Sequence, residues 1–329
     1  MGGVSRQSYA ATLPPDRFHC LLEELPLHLI PQRGRALLRP RDEGPLFLNP
    51  ECILCSDGQI PDEFLSRKEL VPKFSLQGTT VWVRDAATGS LLPFWLGPDI
   101  EGTLGNLRAN EAAPSTLSDE TRAVLTGARI LIPKNHAIEN LRMWRETVGK
   151  AGKLFRERGY APLGDLIHPF HVAALRRYYR YLIRSGAIRL GDGQSSRRYV
   201  AYNEPVARFF HHQIAATLSA VAGEELKPSY VYLASYLSGA ELKKHTDREQ
   251  CEFSVTMCLD FSPEPVLGTP WPIRLDTPNG KVEVYQALGD GLAYRGTRLP
   301  HYRDVLGGGQ TSTSIFFHYV AADFTGSLD

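Results

Sequence analysis

The sequence predicts an α+β fold in which packed helices precede an antiparallel, β-rich core. Two observations lead to this fold class. Three long helical patterns lie between residues 138 and 222, and six strand-like segments separated by turn residues follow Pro228. This order is typical of helices that cover one sheet of a barrel or jelly roll. We expect an N-terminal accessory domain of mixed structure over residues 1–135, and the helices plus the β-rich core over residues 136–329.

The N-terminal region contains a predicted β-hairpin and a predicted helix. Residues 79–85 and 91–96 read as two strands, and Gly89 in the turn between them is free to adopt a positive φ. A helix is predicted to run through Leu125, because Ser118 suits its N-cap and two acids follow in the first turn. No chemistry can be assigned to this region from its sequence.

Three helices are predicted in the middle of the chain, because apolar residues recur there at helical spacing. Gly186 and Gly223 follow the last two patterns and suit helix C-termini. The predicted helices are Ile138–Arg158, His171–Ser185 and Glu204–Ala222.

Six strands are predicted after Pro228, because β-branched and aromatic residues cluster there in short runs between turn residues. They cover residues 229–237, 251–259, 272–275, 281–285, 291–295 and 312–320.

Composition places the chain among ordinary globular proteins, with 43% apolar and 22% charged residues. No apolar run reaches the roughly eighteen residues that a membrane span needs. The first sixteen residues lack a long apolar stretch, so no secretory signal is predicted. The odd number of five cysteines then fits reduced thiols in the cytoplasm. Cys52 and Cys55 form half of a zinc knuckle without a second half, so a strand is the favoured interpretation.

The net charge of +1 is unevenly distributed along the chain. The segment from Arg142 to Arg208 holds fourteen Lys or Arg and five Asp or Glu, so it carries +9 and the remainder −8. Such asymmetry can indicate a polyanionic partner. No nucleic-acid-binding module is present, and we favour helices whose basic residues pair with acidic loops elsewhere. Neither nucleic acid nor a membrane is an expected partner.

His245, Asp247 and His301 are the candidate metal ligands. In an extended chain, residues i and i+2 point to the same side, so His245 and Asp247 can converge on one ion. His301 lies 56 residues after His245, beside another predicted strand. Two imidazoles and one carboxylate, with coordination positions left open, are what a non-haem Fe(II) site needs.

The residues around these ligands resemble a known superfamily. The segment Tyr236-Leu-Ser-Gly-Ala-Glu-Leu-Lys-Lys-His-Thr-Asp247 and the segment Gly289-Asp-Gly-Leu-Ala-Tyr-Arg-Gly-Thr-Arg-Leu-Pro-His301 carry the likeness. Their order and spacing are similar to those of the prolyl-4-hydroxylase-like branch of the 2-oxoglutarate and Fe(II)-dependent dioxygenases. The resemblance covers roughly residues 199 to 320.

The resemblance implies a double-stranded β-helix core of the jelly-roll, cupin-like kind. Iron would be held by His245, Asp247 and His301, and 2-oxoglutarate would chelate it and be oxidised by O2 to succinate and CO2. The substrate would be oxidised at an unactivated C–H bond, with no catalytic residue beyond the metal ligands. Tyr236 stands where the family often has a tyrosine that touches the co-substrate. The presence of Asp247 leaves no coordination position for the halide of a halogenase.

One position departs from the family pattern. Most relatives carry Arg or Lys nine or ten residues after the distal histidine, followed by Ser or Thr, and this cation pairs with the far carboxylate of 2-oxoglutarate. Here Gln310 or Thr311 occupies the place, and Ser312 follows. Because a buried carboxylate needs a partner, another cation is required. Arg303 is the first candidate, then Arg274 and Arg295, whereas Arg248 could meet an anionic substrate.

This departure leaves three functions open. The first is the 2-oxoglutarate-dependent dioxygenase, which most often hydroxylates; desaturation and ring formation stay open. The second is an iron oxygenase or oxidase that uses its own substrate as the reductant. The third is a non-catalytic jelly-roll module that binds a structural metal or none.

The substrate is less defined than the metal. Aromatic residues near the expected pocket favour a small molecule, an amino acid or a peptide, in a specialised biosynthetic pathway. These candidate substrate-contacting aromatics are Tyr230, Tyr232, Trp271, Tyr294 and Tyr302.

Overall fold

The computed structural model describes residues 9–39 and 44–329. The expectation that no secretory signal is present falls partly on residues 1–8, which lie outside the described residues. Among the helices that the structure describes, none has both the length and the apolar character needed to cross a bilayer.

The N-terminal region contains a three-stranded sheet, a two-stranded sheet and short helices. The predicted hairpin is confirmed as strands β3 (Thr79–Arg84) and β4 (Leu91–Leu96). The predicted helix is confirmed as α2 (Asp119–Gly127), and the Ser118 side chain caps it by accepting a hydrogen bond from the Thr121 amide (3.1 Å). The strand predicted at Cys52 and Cys55 is confirmed as β2. The elements are β1 (Phe47–Leu48), β2 (Cys52–Cys55), β3 (Thr79–Arg84), β4 (Leu91–Leu96), α1 (Pro98–Leu104), α2 (Asp119–Gly127) and β5 (Leu131–Ile132), with 3-10 turns at Tyr9–Thr12, Leu27–Leu29, Gln32–Leu38, Asp62–Phe64 and Lys68–Leu70.

Four helices and three short strands follow. The first two predicted helices are confirmed to within two residues at each end. The third prediction was wrong in one respect, because the helix is interrupted at Ile214 (φ −91°, ψ −4°). There the Gln213 side chain accepts a hydrogen bond from the Leu91 amide (2.8 Å), which ties the end of α5 to β4. The elements are α3 (His136–Arg158), β6 (Tyr160–Leu163), α4 (Pro169–Arg184), β7 (Arg189–Leu190), β8 (Arg198–Tyr202), α5 (Pro205–Gln213) and α6 (Ala215–Ala222).

The C-terminal third is built from strands. All six predicted strands are confirmed, and β10 and β15 add two short strands beside the candidate metal ligands. The elements are β9 (Leu226–Tyr236), β10 (Leu242–His245), a 3-10 turn at Glu249–Cys251, β11 (Phe253–Ser262), β12 (Ile273–Thr277), β13 (Gly280–Val284), β14 (Gly291–Arg295), β15 (His301–Arg303) and β16 (Thr311–Ala321).

Two antiparallel sheets form this core. The large sheet has the order β6-β14-β11-β16-β9-β8-β7 and the small sheet the order β10-β15-β12-β13. Their inner faces meet through buried side chains such as Ile273 and Leu275 of the small sheet and Leu292 and Tyr294 of the large sheet. The α+β class is therefore confirmed.

Strand β16 shows how the large sheet separates helices from cavity. Successive side chains of a strand point to opposite faces. Phe317 and Tyr319 face the helices, where Tyr319 Oη donates to the backbone oxygen of His211 on α5 (2.7 Å). Phe316 and His318 face the other side and line a cavity. Because both faces are covered, this strand is buried along nearly its whole length.

The N-terminal region packs on helix α5, where the ring centroids of Trp82 on β3 and Phe209 lie 6.1 Å apart. Ring centroids of Phe74 and Phe209 lie 4.7 Å apart, and those of Phe18 and Phe210 lie 5.8 Å apart. One hydrophobic cluster runs from these residues through the helices to the large sheet. The division into domains at residue 135 stays a prediction.

Part of the basic segment is paired with acids from the strands. Arg176 and Arg180 of α4 both bond to the carboxylate of Asp260 on β11, and Arg176 also reaches Glu264. On α3, Arg142 pairs with Glu139 and Glu146. These three arginines, of the fourteen basic residues in the segment, are thereby paired with acids.

Candidate metal centre and its cavity

Strand pairing brings the three predicted ligands together at one edge of the small sheet. His245 and His301 are cross-strand partners in β10 and β15, and their ring centroids lie 4.4 Å apart. Asp247 follows β10, and its amide donates to the backbone oxygen of Gly296 (2.9 Å). Its Oδ1 lies 3.6 Å from His245 Nε2 and 3.4 Å from His301 Nε2. One donor atom from each of the three residues therefore lies within 4.8 Å of the others.

The hydrogen bonds of the two histidines orient their lone pairs towards this point. His245 Nδ1 lies 2.7 Å from the Lys243 backbone oxygen, and His301 Nδ1 lies 3.0 Å from that of Leu299. A carbonyl oxygen only accepts, so each Nδ1 carries the proton and donates. The two Nε2 atoms are then the ring nitrogens that face Asp247 and that a metal would bind. A histidine whose other nitrogen donates to a carbonyl is the usual arrangement of a metal ligand.

Asp247 is held as a carboxylate with its oxygens divided between two tasks. Oδ1 faces the histidines, and Oδ2 accepts a hydrogen bond from Ser254 Oγ (2.9 Å). Burial raises the pKa of Asp247, but the contacts with His245 and His301 outweigh it and hold the pKa well below its usual range. The contact with Asp247 in turn raises the pKa of His245. This donor set, two neutral imidazoles and one carboxylate, fits a divalent transition metal such as Fe(II).

A second group, Asp247 with Cys251 and His318, is less suited to a metal, although its donor atoms also lie within 4.8 Å of one another. Burial raises the pKa of the Cys251 thiol to about 12, and a thiol binds metal well only when deprotonated. Its Sγ lies 2.9 Å from Tyr230 Oη. His318 Nδ1 is engaged with Ser254 Oγ (2.9 Å). The first triad is therefore the metal candidate.

Gly296 makes room for the Asp247 carboxylate. A Cβ at this position would lie 2.3 Å from Asp247 Oδ2 and 2.4 Å from the Cys251 backbone oxygen. Both separations are far inside van der Waals contact. Any side chain here would push the carboxylate out of place or move the backbone.

The triad opens into a cavity of about 290 Å³ between the two sheets. Its wall combines tyrosine rings with charged side chains, an arrangement suited to a small ligand with an apolar body and polar groups. Besides the metal ligands, the lining includes Asp192, Gln194, Arg198, Tyr202, Tyr230, Tyr232, Tyr236, Leu242, Arg248, Tyr294, Phe316 and His318.

Sequence reasoning missed a polar cluster in this wall. Arg198 of β8 donates to Asp192 Oδ2 through Nε (3.0 Å) and Nη2 (2.5 Å). Tyr232 Oη donates to the same oxygen (2.5 Å). Burial raises the pKa of Asp192, and the bonds from Arg198 and Tyr232 outweigh it, so Asp192 is a carboxylate. The alternation in Arg198-Tyr-Val-Ala-Tyr202 is a strand signal that could have placed Arg198 in the sheet.

The residues predicted to contact the co-substrate occupy different places. Tyr236 lines the cavity, and its hydroxyl accepts a hydrogen bond from Arg198 Nη1 (3.3 Å). Ser312 is its cross-strand partner on β16 and is buried outside the lining. Gln310 precedes β16, and its backbone oxygen accepts a bond from Ser238 Oγ (2.9 Å). Gln310 and Ser312 therefore do not meet the cavity.

Arg303 lies inside the core and, like Gln310 and Ser312, is not part of the cavity lining. It is 3% exposed, and its guanidinium carbon lies 4.9 Å from the ring centroid of Trp271. Its terminal nitrogens donate to the backbone oxygen of Trp271 and to Gln286 Oε1, whereas Nε has no partner. No acidic side chain of the described residues forms an ion pair with it, and burial lowers the pKa of this guanidinium. Its charge also acts on the Tyr236 hydroxyl.

The other two arginines considered for this role are already neutralised. Arg274 forms ion pairs with Glu283 (2.9 Å) and Asp304. Arg295 lies near two glutamates and covers the rings of Phe155 and Phe253. Neither lines the cavity.

Most of the predicted substrate-contacting residues line the cavity, and two do not. Tyr230, Tyr232, Tyr294 and Arg248 are part of its wall. Trp271 packs against the Tyr236 ring (centroids 5.1 Å apart) and donates Nε1 to the Asp304 backbone oxygen (2.6 Å), outside the lining. Tyr302 points away from the core, because alternation places it opposite to its buried neighbours His301 and Arg303.

Comparison with known proteins gives structural neighbours and no sequence relatives. No protein-family model and no curated protein matches the chain. Its structure is similar to that of the non-heme alpha-ketoglutarate-dependent epimerase SnoN from nogalamycin biosynthesis, with TM-score 0.45 and 15% identity over 53% of this chain and 83% of that one. A Pseudomonas putida prolyl-4-hydroxylase gives TM-score 0.42 and 16% identity over 52% of this chain and 99% of that one.

A third neighbour is HygX from Streptomyces hygroscopicus, solved with nickel, 2-oxoglutarate and hygromycin B. It gives TM-score 0.43 and 12% identity over 54% of this chain and 88% of that one. Each of these matches covers about half of this chain.

Proposed function

We propose that this protein is a non-haem Fe(II) and 2-oxoglutarate-dependent dioxygenase with a double-stranded β-helix core. The observation that carries the proposal is the facial arrangement of His245 Nε2, His301 Nε2 and Asp247 Oδ1, with both histidine tautomers fixed by backbone carbonyls. Such a set leaves coordination positions free for a bidentate organic ligand and O2.

The core supplies a second feature that suits 2-oxoglutarate. Arg303 is two residues from His301 on β15, both side chains are buried, and the Arg303 charge has no acidic partner among the described residues. A buried guanidinium without a counter-charge is unfavourable by several kcal/mol. A carboxylate of the co-substrate would remove that penalty. Arg198 is a weaker candidate because Asp192 already neutralises it.

Each part of the site then has a role. Bound iron and 2-oxoglutarate would supply the oxidising power that inserts oxygen into an unactivated C–H bond, with O2 as oxidant. His245, Asp247 and His301 hold the metal, Arg303 and Tyr236 bind the far end of the co-substrate, and the cavity wall orients the substrate. The buried aromatic residues around the triad limit access of water to the reacting atoms.

The substrate we propose is a small molecule, an amino acid or a peptide, oxidised in a specialised biosynthetic pathway. The cavity volume of about 290 Å³ is at the lower end of ligand sites in proteins. The tyrosine-rich wall gives such a ligand both apolar contact and hydrogen-bonding hydroxyls. Hydroxylation is the default reaction of the proposed centre.

The test is a spectroscopic titration without oxygen. Adding 2-oxoglutarate to the Fe(II)-loaded protein should produce a weak visible charge-transfer band, and pyruvate, which lacks the far carboxylate, should bind more weakly. Arg303→Gln should weaken 2-oxoglutarate binding by about tenfold or more and leave pyruvate unaffected, because a hydrogen bond between charged groups contributes about 1.5–3 kcal/mol. Arg274→Gln, on the same sheet but paired with acids, is the matched control.

Absence of the band in the wild-type protein, combined with consumption of O2 in the presence of a native substrate, would reject the use of 2-oxoglutarate. It would favour an oxygenase that takes electrons from its own substrate. Equal binding of 2-oxoglutarate by wild type and Arg303→Gln would remove Arg303 from the site. If Fe(II) and Mn(II) leave the melting temperature unchanged, the metal site itself is rejected, because a ligand of the native state must stabilise it.

A further inference from the structure

The cavity wall beside the metal ligands contains an arginine with no acidic partner. Arg248 directly follows Asp247, where the chain leaves β10 and enters the 3-10 turn at Glu249–Cys251. Its side chain lines the same cavity as the triad. The sequence therefore fixes a positive charge within one residue of a metal ligand.

Two arginines line the cavity, and their charges differ in availability. Arg198 is bound by Asp192 and Gln194, so its donors are largely used. Arg248 forms no ion pair with an acidic side chain of the described residues. Within the described part of this wall, Arg248 is the arginine whose charge is left for a ligand.

Aromatic residues hold the Arg248 side chain in position. Its guanidinium carbon lies 4.6 Å from the ring centroid of Tyr230, and Nε donates to Tyr230 Oη (3.4 Å). The Tyr230 ring stacks on Tyr202 at a centroid distance of 5.0 Å and an interplanar angle of 30°. Tyr202 accepts a further hydrogen bond from the guanidinium, and the remaining donors of its planar edge are left for a ligand. The arginine is thereby preorganised, which lowers the entropy lost on binding an anion.

We infer that the substrate carries an anionic oxygen group, a carboxylate or a phosphate, which Arg248 binds at the mouth of the cavity. This inference rests on the proposed function, since it assigns the substrate class of the same site. The planar donor edge of a guanidinium matches two oxygens of either group. The rings of Tyr230 and Tyr202 provide the adjoining apolar surface, so the rest of the substrate is an apolar body that extends towards the metal.

The test compares small probes that share a benzyl group and differ in the charge and chemistry of the polar head. Phenylacetate, benzylphosphonate and the neutral phenylacetamide are bound to the wild-type protein, and their affinities are measured by saturation-transfer NMR, which needs no metal. The same titrations with Mn(II) and 2-oxoglutarate present report proximity to the metal through broadening of the probe signals. The variants are Arg248→Gln, Arg248→Lys and, as a control of matched chemistry, Arg145→Gln, an exposed arginine on α3 outside the cavity.

We expect at least one anionic probe to bind about tenfold or more tightly than the amide in the wild type and in Arg145→Gln, in line with a charge-assisted hydrogen bond. Arg248→Gln should abolish this preference and Arg248→Lys should retain part of it. The better anion, carboxylate or phosphonate, identifies the group.

Three results would overturn the inference: equal binding of anion and amide by the wild type, a preference that survives Arg248→Gln, or anionic probes that Mn(II) does not broaden. Failure of the proposed function is recognised separately, by wild-type protein that binds no 2-oxoglutarate in the titration described above. The metal-free NMR comparison of Arg248 variants does not depend on that result, and missing broadening counts against the inference when the wild type binds Mn(II) and 2-oxoglutarate.

Discussion

Ser254 Oγ lies 2.9 Å from Asp247 Oδ2 and 2.9 Å from His318 Nδ1, so one hydroxyl joins a candidate metal ligand to a buried histidine. A hydroxyl has one proton, and the carboxylate is the stronger acceptor. Ser254 therefore donates to Asp247 and accepts from His318. This bond leaves Asp247 Oδ1 to face the two histidines.

Replacing Ser254 with Ala should weaken metal binding. The loss of a hydrogen bond that orients a metal ligand typically lowers affinity by about 10–100-fold, and Asp247 would also lose part of its preferred orientation. Mn(II) affinity measured by electron paramagnetic resonance is the readout. Ser235→Ala, which removes another buried hydroxyl of the large sheet, is the control. Unchanged affinity in Ser254→Ala would show that the hydroxyl has no positioning role.

Replacing Gly296 with Ala should damage the centre more severely. Its Cβ would meet Asp247 Oδ2 at 2.3 Å and the Cys251 backbone oxygen at 2.4 Å, and the second contact cannot be relieved by rotating a side chain. Overpacking of this kind costs about 1–3 kcal/mol. We expect a lower melting temperature and loss of the stabilisation by Mn(II). Gly308→Ala, where a Cβ meets nothing within 4 Å, should behave as the wild type. A metal-stabilised Gly296→Ala protein would contradict this geometry.

Arg303→Met should show whether Arg303 serves co-substrate binding or the stability of the fold. Replacing a buried charge that has no acidic partner by an apolar side chain removes the desolvation penalty of that charge. We therefore expect Arg303→Met to melt no lower than the wild type when 2-oxoglutarate is absent. Adding the co-substrate with Mn(II) at roughly 100 times its Kd should stabilise the wild type by about 2.7 kcal/mol and the variant much less.

Arg176→Met is the contrasting variant. Arg176 is also buried, but it bonds to Asp260 and Glu264, so its loss removes these ion pairs and leaves Asp260 with Arg180 and Glu264 with Arg35. Removing one member of a buried pair costs about 3–5 kcal/mol. If Arg303→Met proved as destabilising as Arg176→Met, Arg303 would be a structural residue.

The stability of the fold should decrease as the solution becomes mildly acidic. Burial lowers the pKa of His171 to about 4, from an ordinary value near 6.5, because its ring lies in the core between the helices and β4. Below about pH 6.5 this histidine binds a proton in the unfolded chain but not in the folded chain. Its contribution to the free energy of unfolding is therefore complete above that pH and is lost as the pH falls. For one such histidine the loss between pH 7 and pH 5 is about 2 kcal/mol.

His171→Gln tests this dependence, since its amide can still donate to the Pro93 backbone oxygen that His171 Nε2 contacts at 2.8 Å. Urea unfolding of the variant at pH 7 and pH 5 should show a smaller difference than in the wild type. The exposed His28, changed to Gln, is the control. Parallel pH profiles for wild type and His171→Gln would contradict the prediction.

Local patterns in the sequence predict much of this fold. Helices α3 and α4 and the six longer strands of the core follow from periodicity and turn residues, because these signals act within a few positions of the chain. The two short strands β10 and β15 have too few residues to show a period, although they carry His245 and His301. The interruption at Ile214 lies next to Gln213, whose side chain bonds to the distant Leu91 amide, and no local pattern indicates the interruption.

The candidate site shows the same division. His245 and Asp247 are two positions apart and could be paired by strand alternation, and the inward position of Arg303 follows from that of His301. Arg198 and His318 reach the cavity through pairing of β8 with β9 and of β16 with β11. Such long-range pairings arise from the whole fold. Trp271 was predicted to contact the substrate only because it is aromatic. In the structure it packs against the Tyr236 ring and does not line the cavity.

The position of Arg303 affects how related sites should be searched for. In the pattern that the sequence resembles, the cation follows the distal histidine by nine or ten residues, which here means the start of β16 on the large sheet. In the proposed site this charge comes instead from Arg303 on β15 of the small sheet. A sequence pattern depends on the number of residues between two positions, whereas binding of an anion depends on the position of the cation in space. Chains that carry this cation on a different strand would not match such a sequence pattern, although their site would have the same chemistry. Comparing side-chain positions on both sheets would find them.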